Sequence, residues 1–165
     1  MNPQFTIRPA RPGDEAAVVA LLYALAEYEK LTDRFHITEA IVRRDYLCER
    51  PLLECDLAFE GDRPVGVATW YWIYGSFTAR RGIHLEDLFV LPVTRGKGYG
   101  KALLAHLAKR AVKAGGVFMN WDVLPWNTTA IEFYEQLGAT VEKEWLMCRL
   151  AGEKLEDVAD MARTA

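Results

Sequence analysis

Arg95-Gly96-Lys97-Gly98-Tyr99-Gly100 joins a run that reads as a strand to a run that reads as a helix. Upstream, Ile83 to Leu91 is almost continuously apolar and stops at Pro92, as a buried strand does. Downstream, Leu103, Leu104, Leu107, Ala108 and Ala111 recur on one helical face. Glycines without Cβ let main-chain N–H groups converge on an anion, and a helix N-terminus adds a favourable dipole. Arg95 places a permanent positive charge beside that nest. The stretch is read as a cradle for a phosphate-bearing ligand.

Spacing narrows the ligand. A nucleotide P-loop requires Ser or Thr after Gly-Lys, and Gly100-Lys101 is followed by Ala102. A dinucleotide fingerprint requires G-x-G-x-x-G with an acid about 20 residues on. The spacing here is G-x-G-x-G, and Val117-Phe118-Met119-Asn120 offers no carboxylate. What remains is R-x-x-G-x-G between strand and helix; the alternative is a tight turn with glycines for geometry alone.

Composition excludes several classes of function. With 165 residues and 51% apolar content, one domain spanning 1–165 with a full core is expected. Lys and Arg number 20 against 23 acids, a net charge of −3 without a basic stripe, so nucleic acid is not an expected partner. The opening residues lack the pattern of a signal peptide, and no apolar run approaches the ~20 residues of a membrane span. Cys48, Cys55 and Cys148 lack metal-ligand spacing and read as reduced, buried thiols of a cytoplasmic protein.

The order of elements reads as a mixed α/β domain. Phe5 to Arg8 alternates like a strand, and Pro12-Gly13-Asp14 opens a helix with Val18, Leu21, Leu22, Leu25 and Tyr28 on one stripe. Thr38 is the expected N-cap of a second helix reaching Cys48. Leu53 to Glu60 and Val65 to Tyr74 form an expected hairpin around Gly61-Asp62-Arg63-Pro64. Beyond the glycine stretch a helix is expected over 99–114, a strand over 117–123, and a helix from an N-capping Asn127 to Gly138. A last strand is expected over 145–150, then a helical tail.

Candidate chemistry centres on Glu86 and Asp87, two acids inside an otherwise apolar strand. Burying a carboxylate without compensation is costly, so such a pair needs partners or a task. Simple alternation sends the two acids to opposite faces, with Glu86 sharing a face with His84. An amine reaches an enzyme as an ammonium of pKa near ~10 and must lose a proton before attacking an acyl carbonyl. Glu86 is the candidate to attract that cation and accept its proton, with Asp87 in support. The alternative is that either acid accepts structural hydrogen bonds. Tyr134 reads as a core residue by helical spacing, yet a phenol could protonate a departing thiolate. Asn127 is explained by its cap alone. His84, His36 and His106 lack partners at ligand spacing, and no nucleophile elbow is present, so neither a metal nor a covalent nucleophile is expected. Trp70, Trp72 and Tyr74 fall on one side of an aromatic strand, read as core or subunit packing.

Several spaced blocks now share one resemblance. Leu25-Ala26-Glu27-Tyr28-Glu29-Lys30-Leu31, Leu85-Glu86-Asp87-Leu88-Phe89-Val90, the glycine stretch, and Trp126-Asn127 followed by Phe133-Tyr134 resemble the GCN5-related N-acetyltransferases. The likeness is to their diamine (spermidine/spermine) and thialysine branch, over nearly the whole chain. It implies the acyl-CoA N-acyltransferase fold, a mixed and mostly antiparallel sheet flanked by helices. It also implies direct acetyl transfer from acetyl-CoA to a small primary amine. By that resemblance Leu88, Phe89 and Val90 line the pantetheine arm. Arg95, Gly96, Lys97, Gly98, Tyr99, Gly100 and Lys101 cradle the pyrophosphate, and Asn127 lies along the cofactor. Tyr134 matches the general acid, also against the cofactor; Glu86 matches a substrate-facing acid, and Tyr28 and Glu29, with Asp87, match residues around the amine. A homodimer is implied as well. Gly75 stands where polyamine-acetylating relatives carry an acid, and Pro125 replaces an acid common to both branches. These departures favour a compact amine bearing its own carboxylate over a long polycation. The alternatives are acetylation of a protein lysine or N-terminus, and a non-catalytic acyl-CoA-binding regulatory domain.

Overall fold

The computed structural model describes residues 4–144 and 146–162. The chain forms two compact units, the first ending at Asp122 and the second starting at Val123.

The first unit is built on a five-stranded sheet in sequence order. β1 (Phe5–Pro9), β2 (Glu54–Glu60), β3 (Arg63–Gly75) and β4 (Arg80–Val90) are antiparallel neighbours, and β5 (Phe118–Asn120) runs parallel to β4. Glu60 pairs with Arg63 around a two-residue turn, with Gly61 at φ +61°. That turn is tighter than the four residues expected, because Pro64 enters β3 at a register shift opposite Phe59, where a missing N–H is tolerated.

Helices cover both faces. α1 (Glu15–Glu29) buries Val18, Leu21, Leu22 and Leu25 on the expected stripe, against Leu57, Phe59, Val67 and Phe89 of the sheet. Burying each such aliphatic side chain contributes about 1.5–3 kcal/mol. α2 (Glu39–Asp45) is capped by Thr38, whose hydroxyl accepts from Ile41 N at 3.3 Å. It stops short of the expected Cys48, because the chain folds back there and Leu52 N donates to Asp45 O at 2.8 Å. α3 (Tyr99–Lys113) lies on the opposite face, burying Leu103, Leu104, Leu107 and Ala111. It is tied down by Asp56, 1% exposed, which accepts from Trp70 Nε1 and from Arg110 Nη2, each at 2.8 Å. A carboxylate so buried needs these donors, and removing one would leave an uncompensated charge.

The second unit contains α4 (Thr128–Gln136) and α5 (Glu153–Ala159). Asn127 caps α4, accepting from Ala130 N at 3.4 Å, and Gly138 takes φ +89° beyond its end. The strand expected over 145–150 is not observed over 146–150, and Trp145 lies outside the described residues. The physical reason is pairing: a strand exists through a ladder, and no described residue of this unit belongs to a strand. β5 ends early for the same reason, since Asn120 is the last residue with a partner on β4. Two of the cysteines also depart from expectation. Cys55 is buried, while Cys48 and Cys148 lie exposed, outside the apolar layers that their neighbours suggested.

Candidate active site

The sheet opens where the chemistry-bearing residues gather. β5 pairs with β4 only from Gly82 to His84, while β4 continues to Val90. From Leu85 onward, then, one edge of β4 has no neighbouring strand among the described residues. An open edge is a template for an extended polar ligand. Leu88, Phe89 and Val90 lie along it, Phe89 buried in the α1 core and its two neighbours half-buried.

A bulge in β4 decides where the acids point. Thr69 pairs with Asp87 and Trp70 with Leu85, leaving Glu86 as the extra residue. Leu85 therefore stays on the α3 face with Trp70, whose ring lies 5.1 Å from the Arg110 guanidinium. Asp87 and Phe89 are switched to the α1 face, with Thr69 and Val67. Simple alternation had sent Glu86 and Asp87 to opposite sides; the bulge corrects this and brings them together.

Burial and like charge shape that face. Asp87 accepts from the Thr69 hydroxyl at 2.5 Å. Burial raises its pKa above the ordinary carboxylate range, and Glu86 pushes the same way. Glu29, the last residue of α1, is raised by burial and then by Asp87. Tyr46, beyond α2, is pushed up to about 12, by burial first and then by Asp87, Cys55 and Glu86. Tyr71 of β3 is raised by burial, then by Glu86 and by Asp122. Three carboxylates from two elements thus share a partly dry face with two phenols. An arriving cation would relieve their mutual repulsion. Tyr28 stands nearby in sequence, with the Arg95 guanidinium 4.7 Å from its ring centroid.

The glycine stretch has the opposite character. Gly96 and Gly98 adopt φ +80° and +83°, and a Cβ on either would meet only open space. The first hydrogen bond of α3 is Ala102 N to Gly98 O at 3.0 Å, so the amides of residues 98–101 precede the helix's own ladder. No acid occupies the first turn of α3, whereas Glu15 and Glu39 occupy those of α1 and α2. The positive end of this helix is left to something else. These features fit a diphosphate. The side chains of Lys97 and Tyr99 are turned to Glu60, leaving only their backbone toward the loop: Lys97 Nζ and Tyr99 OH reach one carboxylate oxygen at 2.5 and 2.6 Å. Tyr99 also stacks on Phe5 with centroids 4.1 Å apart. Arg95 Nε donates to Val90 O at 3.4 Å, and Gly100 and Lys101 open α3.

Asn127 and Tyr134 belong to the second unit, where Asn127 caps α4 and Tyr134 lies about two turns on, with its ring 5.3 Å from that of Phe133. Sequence reasoning missed Thr69, Tyr46 and Tyr71. Only Tyr71 left a signal, as the odd member of a strand whose Trp70 and Trp72 face the other way. The described residues hold no cluster of His, Cys, Asp and Glu able to bind a metal, and no helix among them is long and apolar enough to cross a membrane.

An open strand edge beside a glycine cradle, with an acid face next to it, is the layout of an acyl-CoA-dependent acetyltransferase. The chain belongs to the acetyltransferase (GNAT) family, whose model matches residues 20–139. It is 35% identical to a thialysine N-epsilon-acetyltransferase of Sus scrofa, over 93% of this chain and 96% of that protein. It is 34% identical to an L-ornithine N5-acetyltransferase of Arabidopsis thaliana, over 92% of this chain and 86% of that protein. An integron cassette protein from the mobile metagenome of V. cholerae shares the fold, with a TM-score of 0.80 at 24% identity over 94% of this chain and 97% of that one. The family implies acetyl-CoA as the acyl donor.

Proposed function

We propose that this acetyltransferase acts on a compact primary amine that carries its own carboxylate, of the thialysine, lysine or ornithine kind. The observation that carries the reading is the β4 bulge, which turns Glu86 and Asp87 to one face with Glu29, next to the open edge of the same strand. Support comes also from the relatives, whose names specify thialysine and L-ornithine.

Acetyl-CoA supplies an activated thioester. The main-chain amides of residues 96–101 hold its diphosphate, and the edge of β4 from Leu88 to Val90 aligns the arm that bears the thioester. Glu29 and Asp87 attract the ammonium, and Tyr28 helps enclose it. Glu86 takes the proton that must leave before nitrogen can attack. Tyr134 returns a proton to the leaving sulfur, and Asn127 steadies the cofactor. For these last two residues the reading rests on the sequence resemblance and on phenol and amide chemistry. We also read the exposed Leu146, Met147 and Leu150 (87, 77 and 53% exposed) as a surface covered by a second copy in a homodimer. A mass near twice 18.7 kDa by light scattering is the expected result.

The experiment is release of free thiol from acetyl-CoA across a panel of thialysine, lysine, ornithine, putrescine, spermidine and a lysine peptide. Thialysine, lysine or ornithine should give the largest kcat/KM. A preference for spermidine or for the peptide overturns the substrate assignment. Binding of CoA, seen as thermal stabilisation, without thiol release on any member overturns the catalytic reading.

A further inference from the structure

His84 sits at the apex of the opening between β4 and β5, with its two ring nitrogens facing different partners. Nδ1 lies 2.9 Å from Asn120 Oδ1, which can only accept, so Nδ1 carries the proton. Nε2 is then the lone-pair nitrogen, and it lies 3.6 Å from Glu86 Oε2. The ring is held from below by Tyr71, centroids 4.9 Å apart. Asn120 is the last residue of β5 and His84 the last residue of β4 paired to it. The sheet therefore fixes one tautomer at the point where it splays.

We propose that His84 is the proton relay behind Glu86, accepting at Nε2 the proton that the amine loses before attack. The inference rests on the amine-acetyltransferase reading and names the part of that site which receives the proton. Direct transfer from an ammonium to an ordinary carboxylate is unfavourable by a factor of about a million, and to an imidazole by about ten thousand. A relay ending on imidazole therefore removes much of the imbalance. The amine's first proton passes to the Glu86 carboxylate and on to Nε2. The freed lone pair forms the C–N bond at the thioester carbonyl, the C–S bond breaks, and the amine's second proton is balanced by the one that ends on sulfur. The imidazolium, with its side chain 19% exposed, returns its proton to water. The charged and titratable groups next to this pair are Tyr71 from β3, Asp87 from β4 and Tyr46 beyond α2, with Glu29 of α1 behind Asp87 and Asp122, beyond β5, behind Tyr71. His84 acts through Glu86 and does not itself touch the amine.

The test compares His84→Phe, which keeps a ring on Tyr71 but no nitrogens, with the wild type on thialysine and ornithine at saturating acetyl-CoA. In the wild type, kcat should fall on an acidic limb as the relay nitrogen becomes protonated. His84→Phe should lose that limb and lower kcat about tenfold or more at neutral pH, with the KM for acetyl-CoA unchanged. Added imidazole should restore turnover to His84→Gly. An acidic limb retained in His84→Phe overturns the proposal. Imidazole nitrogen NMR of the wild type decides independently of turnover: at high pH, a proton on Nδ1 supports the relay, and one on Nε2 overturns it. If the wild type turns over no amine, the reading of the preceding subsection fails, whereas the tautomer measurement still judges this one.

Discussion

The bulge within β4 and the glycine stretch beyond its end hold charge in opposite ways. Around the glycine stretch, Lys97 is paired with Glu60, and the amides of residues 98–101 precede the ladder of α3. Around the bulge, three acids crowd one face: Asp87 is raised by burial and then by Glu86, and Glu29 by burial and then by Asp87. The loop therefore presents partial positive charge at no electrostatic cost to itself, while the acid face stores repulsion that a cation relieves. The first region is suited to an invariant anion, and the second to recognising a varying amine. Affinity for the nucleotide donor and affinity for the acceptor should accordingly be separable by mutation.

The largest separation is expected at Gly98. A valine there must adopt φ near +83°, which costs an L-residue about 1–2 kcal/mol, and its branches would fill the open space above the amides. Gly98→Val should weaken CoA binding by about a hundredfold, or ~2.7 kcal/mol, while leaving the KM for the amine within a few-fold. Calorimetric titration with CoA and steady-state kinetics check both halves. Equal losses at both substrates would break the comparison.

The backbone of the glycine stretch was legible because its physics is local: positive φ, a strand stop and a helix start all leave marks within a dozen residues. Helical stripes were legible for the same reason, and Val18, Leu21, Leu22 and Leu25 are buried as the period predicts. The acid face was only half legible. Glu86 and Asp87 stood out by composition, yet their shared direction depends on one extra residue opposite Thr69, and a bulge has no local signature when it carries no glycine. Tyr46 reaches the site through the fold-back after α2, and nothing in its neighbours announces that. Pairing partners were the other blind spot: residues 146–150 look like a strand by composition, but a strand is a relation between two segments.

The next effect in size is at Asp87. Asp87→Asn keeps a side-chain oxygen for Thr69 but removes a charge held against burial and against Glu86. The KM for the amine should rise about tenfold or more, since one member of a partly buried charge pair is lost. Stability should move the other way. A carboxyl whose folded pKa is raised binds more protons in the native state, so wild-type stability falls as pH rises from the ordinary carboxylate value through the folded one. The variant loses that fall and should melt higher than the wild type at pH 8. Thermal melts at pH 4 and pH 8 test this, and a lower melting temperature for the variant at pH 8 would contradict the account.

The smallest effect, and the sharpest on the loop side, is at Glu60. Its pKa is lowered by Lys97 first and Tyr99 second, so what it contributes is present above the ordinary carboxylate value and lost as pH falls through the folded one. Acid should thus loosen the glycine stretch while relieving the bulge. In Glu60→Gln two consequences compete. The loop loses the anchor that fixes Lys97 and Tyr99, and Lys97 is freed to attract the nucleotide's phosphates. Exposed charges are worth about 0–1 kcal/mol and are screened by salt, whereas the anchor is a matter of geometry. CoA affinity should therefore fall about threefold at high salt, and by less at low salt, where the freed lysine offsets part of the loss. Tighter CoA binding at every salt concentration would mean that Glu60 withholds Lys97 from the ligand instead of holding the cradle in shape.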